Sequence, residues 1–212
     1  MSKAPDDGLR LLVYDRTCRG RGILPGLSHV WQAGGALFSW MGRFDGRIGV
    51  SSWPEALAWL ATYQPERKIA EVQYWGHGKW GAPRIYGESL REDCLLRNHE
   101  LCGGLDTLST RMLSNDRGLW WFRTCESFGA AMGVSFARAF ADRIGCRAAG
   151  HTYIIGHFQS GLHSVLPGQE PCWAPDEALL EGTPDSPKRA AWSRLRAPNT
   201  ITALHSNLPA GY

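Results

Sequence analysis

Apolar and polar positions along the chain alternate between two periods, and the alternation predicts strands and helices in turn. Leu9–Asp15 reads as a first strand, almost wholly apolar, followed by a polar loop rich in Arg and Gly. Residues 27–41 carry apolar positions at helical spacing (Val30, Leu37, Phe38, Met41), interrupted by Gly34-Gly35. Arg47–Ser51 is a second short strand. Ser52-x-x-Glu55 is a capping-box pattern, Pro54 suits a first helical turn, and Ala56–Thr62 supplies the helix body. Lys68–Trp75 is apolar enough for a central strand. An insertion over Glu88–Asp116 holds one helix, around Leu105–Leu113, and Leu119–Phe122 is the next strand. The strongest helical pattern runs from Gly129 to Ile144 and stops at Gly145. Arg147–Ile155 and Phe158–Leu166 read as extended. From Pro167 onward the periodicity fades.

Strand-then-helix order predicts an α/β fold with a mainly parallel central sheet and helices on both faces. The 212 residues, 43% of them hydrophobic, fit a single domain, with its core over about residues 9–166 and 167–212 wrapping it. Ten Trp, 25 Gly and only 20% charged residues argue against disorder. A net charge of +3 with scattered Lys and Arg is too small to imply nucleic acid, and no nucleic-acid partner is expected. No window reaches the roughly 20 apolar residues of a membrane span, and the start, Met1–Gly8, lacks the apolar region of a signal peptide. The expectation is a cytoplasmic protein. Its six cysteines, at 18, 94, 102, 125, 146 and 172, are therefore read as thiols, most of them buried, rather than as a disulfide framework.

Two strand ends carry the candidate chemistry. Val72-Gln73-Tyr74-Trp75-Gly76-His77-Gly78 delivers a histidine between glycines, and Leu119-Trp120-Trp121-Phe122-Arg123-Thr124-Cys125 delivers a cysteine. In one parallel sheet the two would emerge together at the carboxyl edge, where open α/β sheets hold their ligands. A thiol beside an imidazole is a route to a nucleophile at neutral pH.

These residues resemble the caspase-like (clan CD) cysteine peptidases. In that family an apolar strand ends in His-Gly and a later one ends in Cys, and the separation of 48 residues here is close to the roughly 50 of caspases. His77-Gly78-Lys79-Trp80-Gly81 followed by Ile85-Tyr86-Gly87 is similar to the loop after the histidine in bacterial caspase-like domains. Gly129–Gly145 resembles the helix behind the cysteine. The resemblance implies a three-layer sandwich and a cysteine endopeptidase acting on protein or peptide substrates without a cofactor. Cys125 would be the nucleophile and His77 the acid/base that handles the leaving amine and stabilises the thiolate. The backbone N–H groups of Gly78 and Cys125 would hold the oxyanion. The same architecture also serves catalytically inactive binding or scaffold modules, and the resemblance is compatible with either.

In the family the residue two before the cysteine lines the pocket for the acyl-side side chain. Here it is Arg123, which either grips a substrate Asp or Glu, with Arg19 of the first loop as a second cation, or pairs with a local acid such as Glu126 or Asp15. Only Glu126-Ser127-Phe128 separates Cys125 from the next helix, so an enzyme working as one uncut chain is expected. Trp80 and Trp173 are candidate walls of a peptide cleft, whereas Trp53, Trp59, Trp75, Trp120 and Trp121 read as core. Cys94-x4-His99-x2-Cys102 has three metal-ligand types without a familiar finger spacing, so no metal is expected. His151, His157 and His163 keep the parity of one strand face and either line a cleft or lie on the surface. No HExxH or P-loop pattern occurs.

Overall fold

The computed structural model describes residues 8–21 and 24–212; the start read as leaderless, residues 1–7, lies outside them. Six strands form one sheet: β1 (Leu9–Asp15), β2 (Gly46–Val50), β3 (Ile69–Trp75), β4 (Asn115–Arg123), β5 (Cys146–His151) and β6 (Leu162–Val165). Their spatial order is β6-β5-β4-β3-β1-β2, and only β6 runs antiparallel to its neighbour. The chain is α/β with a mainly parallel central sheet, as its alternating pattern predicts. Strand order reverses direction at β1, with β2 on one side of it and β3 on the other. The carboxyl ends of β1 and β3 therefore flank a topological switch point.

Register decides which side chains face which layer. Leu11, Val72, Trp120 and Ala148 stand abreast on one face, and Leu12, Gln73, Trp121 and Ala149 on the other. The first face is covered by α2 (Trp53–Thr62), α3 (Cys102–Arg111) and α4 (Ala130–Ile144), whose Leu57, Leu105 and Phe140 join the main core. Against the second face α1 (Leu27–Trp40) packs Phe38 onto Leu12, Tyr14 and Trp75, while Ile201 from the C-terminal segment covers Trp121, Ala149 and Leu162. Burying these aromatics is the main source of stability, at roughly 25 cal/mol per Å² of apolar surface removed from water.

The local signals form with small departures. Ser52 Oγ accepts the Glu55 N–H at 3.2 Å, but the Glu55 carboxylate does not close the box on Ser52. It accepts the Ser51 N–H at 2.8 Å and the Arg16 guanidinium instead. Gly145 ends α4 in the left-handed conformation (φ 77°), which glycine adopts without a Cβ penalty. β4 starts at Asn115, earlier than the apolar run, because Asn115 pairs with Cys146 before the register shifts. The last extended segments break into β5 and β6. The tail is more regular than its composition implies: Leu179–Thr183 and Ser186–Ala190 form a hairpin, and Ile201–Thr202 pairs antiparallel with Phe158–Gln159. Among the described residues, no helix is long and apolar enough to cross a membrane.

Candidate active site

His77 and Cys125 occupy equivalent places on neighbouring strands. β3 and β4 pair in parallel with Trp75 opposite Arg123, so each residue lies two positions beyond the last registered pair. Both line one cavity of about 340 Å³ at the carboxyl end of the sheet, beside the switch point and under α1. The two strand ends are thus brought together as expected.

His77 is exposed and begins a short strand (His77–Lys79) that folds back on Ala82–Ile85. Its ring meets Trp31 of α1 edge-on, with centroids 5.5 Å apart, which limits its orientations. Gly78 is held against the cysteine turn so closely that a Cβ there would lie 2.8 Å from the Cys125 carbonyl oxygen. The site tolerates no side chain at 78.

Cys125 sits in the turn between β4 and α4, its Sγ 3.8 Å from the Ile155 carbonyl oxygen. Burial raises the thiol above its ordinary range and the neighbouring Glu126 carboxylate adds to that, against the pull of backbone groups at Ile155 and at Cys125 itself. Burial thus works against the stabilised thiolate expected from the sequence. Two non-glycine residues of this turn are left-handed, Glu126 at φ 43° and Ala130 at φ 61°. Such strain persists only where the surroundings over-determine it. The Glu126 N–H donates to Tyr153 O at 2.8 Å and the Phe128 N–H to His151 O at 3.0 Å, which pins the turn to the end of β5. Glu126 itself is buried, with Oε2 lacking a hydrogen-bond partner. Burial raises its carboxyl, with Lys79 and Arg84 pulling the other way.

Arg123 reaches the floor of the cavity and is only 5% exposed. Neither expected partner is present. Asp15 accepts from Thr17, and Glu126 makes no bond to the guanidinium. Instead Nε and Nη2 share Gln159 Oε1 at 3.1 and 2.8 Å. Nη2 also donates to Ala203 O at 3.0 Å, and Nη1 donates to His205 O at 2.9 Å and faces Gln73 Oε1 at 3.5 Å. Trp75 and Trp121 lie against the cation, 5.3 and 4.7 Å from ring centroid to Cζ. Desolvation lowers its pKa to about 9, which leaves it charged at neutral pH. The free fork expected for a substrate carboxylate is thus occupied by the chain's own oxygens. The nearby carboxylate, Glu71, is bound by Arg43, which also donates to Ser206 O at 2.6 Å.

Three other sequence candidates lie elsewhere. Arg19 lines a separate hollow with Tyr14, Arg16 and His29, because its loop turns to the β2 side of the sheet edge. Trp80 lines another hollow with Arg84, Arg91 and Met132, its ring covered by the Lys79 ammonium 4.4 Å away. Trp173 is core: it stacks between Phe128 and His163, with centroids 5.5 and 4.8 Å away, and its Nε1–H donates to Phe128 O. The histidine trio does not share a wall. His151 is fully buried on Ser160 O, His163 binds Glu177 on the opposite face, and His157 is exposed. Parity holds only within one uninterrupted strand, and a turn separates β5 from β6. All six cysteines are free thiols. Cys94 donates to Ser89 O and Cys102 to Asp106, and among the described residues no group of three or more His, Cys, Asp or Glu is gathered as a metal site.

The residues missed from the sequence come from α1, the short strand Phe158–Gln159 and the tail: Leu27, Trp31, Gln159 and Leu204 all line the cavity. The signal for α1 was present, since the helix has more apolar positions than one buried stripe uses. No protein-family model and no curated protein matches the chain.

Proposed function

We propose that the protein is a cysteine endopeptidase of caspase-like design, in which Cys125 is the nucleophile and His77 the acid/base. The observation that carries this reading is the convergence of His77 and Cys125 on one cavity at the carboxyl edge of the sheet, with Gly78 packed against the Cys125 turn. The left-handed backbone of Glu126, directly after the cysteine, adds the local strain that functional turns store.

In the proposed reaction the Cys125 sulfur bonds to a substrate carbonyl carbon as the thiol proton passes to His77. The backbone N–H groups of Cys125 and Gly78 receive the oxyanion. Collapse breaks the C–N bond, and His77 returns the proton to the leaving amine. Water, losing a proton to His77, then attacks the thioester, and sulfur departs to regain that proton. A resting thiol fits this sequence, because deprotonation accompanies attack.

The competing reading is a binding module without catalysis, favoured by the raised pKa of the Cys125 thiol. A peptide bearing a reactive ketone separates the two. The enzyme reading expects covalent labelling that disappears in Cys125→Ala and slows by about 100-fold or more in His77→Ala. Equal labelling of the His77→Ala protein, or none of the wild type by any peptide, overturns it.

A further inference from the structure

We infer that the cavity beside Cys125 is a specificity pocket for an apolar side chain, aliphatic or aromatic, on the residue that forms the acyl half of the cut. This rests on the peptidase reading and replaces the acidic preference that Arg123 alone implies. The acyl residue is the one joined to the attacked carbonyl, so its side chain enters the hollow nearest Sγ, and Cys125 lines this one.

The chemistry of the hollow excludes charged occupants. Among the described residues that line it, the one guanidinium, Arg123, has its N–H groups directed to Gln159, Gln73 and the carbonyls of Ala203 and His205. An incoming carboxylate would have to displace those carbonyl oxygens, whose negative ends already point at the cation. A Lys or Arg side chain would face a buried positive charge. The walls are apolar on both sides. Leu27, Val30 and Leu37 of α1 are 46%, 60% and 48% exposed, and Leu204 opposite them is 69% exposed. Among the described residues none removes these side chains from water, yet they converge on one concave site beside the candidate nucleophile. A substrate Leu, Met or Phe would supply that cover.

The test is a panel of peptide acyloxymethyl ketones identical except for Leu, Phe, Asp or Lys next to the ketone. Sγ displaces the acyloxy group, so labelling of Cys125 reads the preference directly by mass. The Leu and Phe probes are expected to label at least about tenfold faster than Asp or Lys. Val30→Glu, at an exposed helix position, should cut Leu labelling and raise Lys labelling. Faster labelling by Asp or Lys, or equal rates across the panel, overturns the apolar pocket and leaves the peptidase standing. Failure of all four probes on a protein whose Cys125 still reacts with iodoacetamide overturns the peptidase reading itself, and the pocket assignment with it.

Discussion

Gly78 and Cys125 touch through their backbones: a methyl group on residue 78 would lie 2.8 Å from the Cys125 carbonyl oxygen and 2.7 Å from Thr124 Oγ1. The contact holds the histidine loop and the cysteine turn at a fixed separation. Gly78→Ala must push them apart, at a cost of about 1–3 kcal/mol in stability. Its larger effect should fall on chemistry, since misplacement near 1 Å costs on the order of 100-fold in rate. Labelling by a reactive peptide ketone, measured beside the melting temperature, checks this. A folded Gly78→Ala protein that labels at the wild-type rate would refute the contact's role.

The Cys125 thiol is raised by burial and by the Glu126 carboxylate, so its alkylation should climb at higher pH than that of an ordinary cysteine. Removing the neighbouring negative charge reverses one of these causes. Glu126→Gln should therefore move the midpoint of the iodoacetamide rate profile to lower pH and speed alkylation at pH 8. A midpoint at or above the wild-type value would show that the carboxylate does not act on the thiol.

Much of the site was legible because its key residues end strands, and strand ends are marked by an abrupt change from apolar runs to Gly, His or Cys. His77, Gly78 and Cys125 are fixed in this way by β3 and β4. The surroundings were less legible. Arg123 was found, but besides Gln159 and Gln73 its partners are two backbone carbonyls about 80 residues away, and a carbonyl carries no sequence signal. Trp173 read as a cleft wall because it lies among prolines, whereas its ring fills a gap between Phe128 and His163. Arg19 and Trp80 follow the cavity's elements in sequence, but the turns after β1 and His77 carry them to other hollows.

The guanidinium of Arg123 fastens the C-terminal segment to the sheet, and this makes it a positioning residue for the cavity wall. Arg123→Met keeps much of the packing against Trp75 and Trp121 but leaves Gln159 Oε1 and the carbonyls of Ala203 and His205 without that donor. A loss of about 2–4 kcal/mol is expected. Hydrogen exchange should also quicken at the Ala203 N–H, which donates to His157 O at 2.8 Å. Arg123→Lys should restore little of either, because one ammonium cannot span Gln159 and both carbonyls. Unchanged exchange at Ala203 in Arg123→Met would show that other contacts hold the segment.

His151 supplies an acid-sensitive element that takes no part in the proposed thiol chemistry. It is fully buried, its Nδ1 lies 3.1 Å from Ser160 O, and Nε2 has no partner. Burial lowers its pKa to about 3, aided by the charge of Arg123, whereas the unfolded chain titrates at the ordinary value of 6.5. Between pH 6.5 and 3 the unfolded state therefore binds a proton that the folded state refuses. Stability must fall as pH falls through that window, by at most about 1.4 kcal/mol per pH unit from this residue. Above pH 6.5 both states are neutral at His151 and its contribution is flat. His151→Gln retains a polar amide near Ser160 without a titrating ring, so its urea-unfolding free energy should lose this part of the acid slope. An unchanged slope between pH 6.5 and 4 in the variant would assign the acid sensitivity to the carboxylates instead.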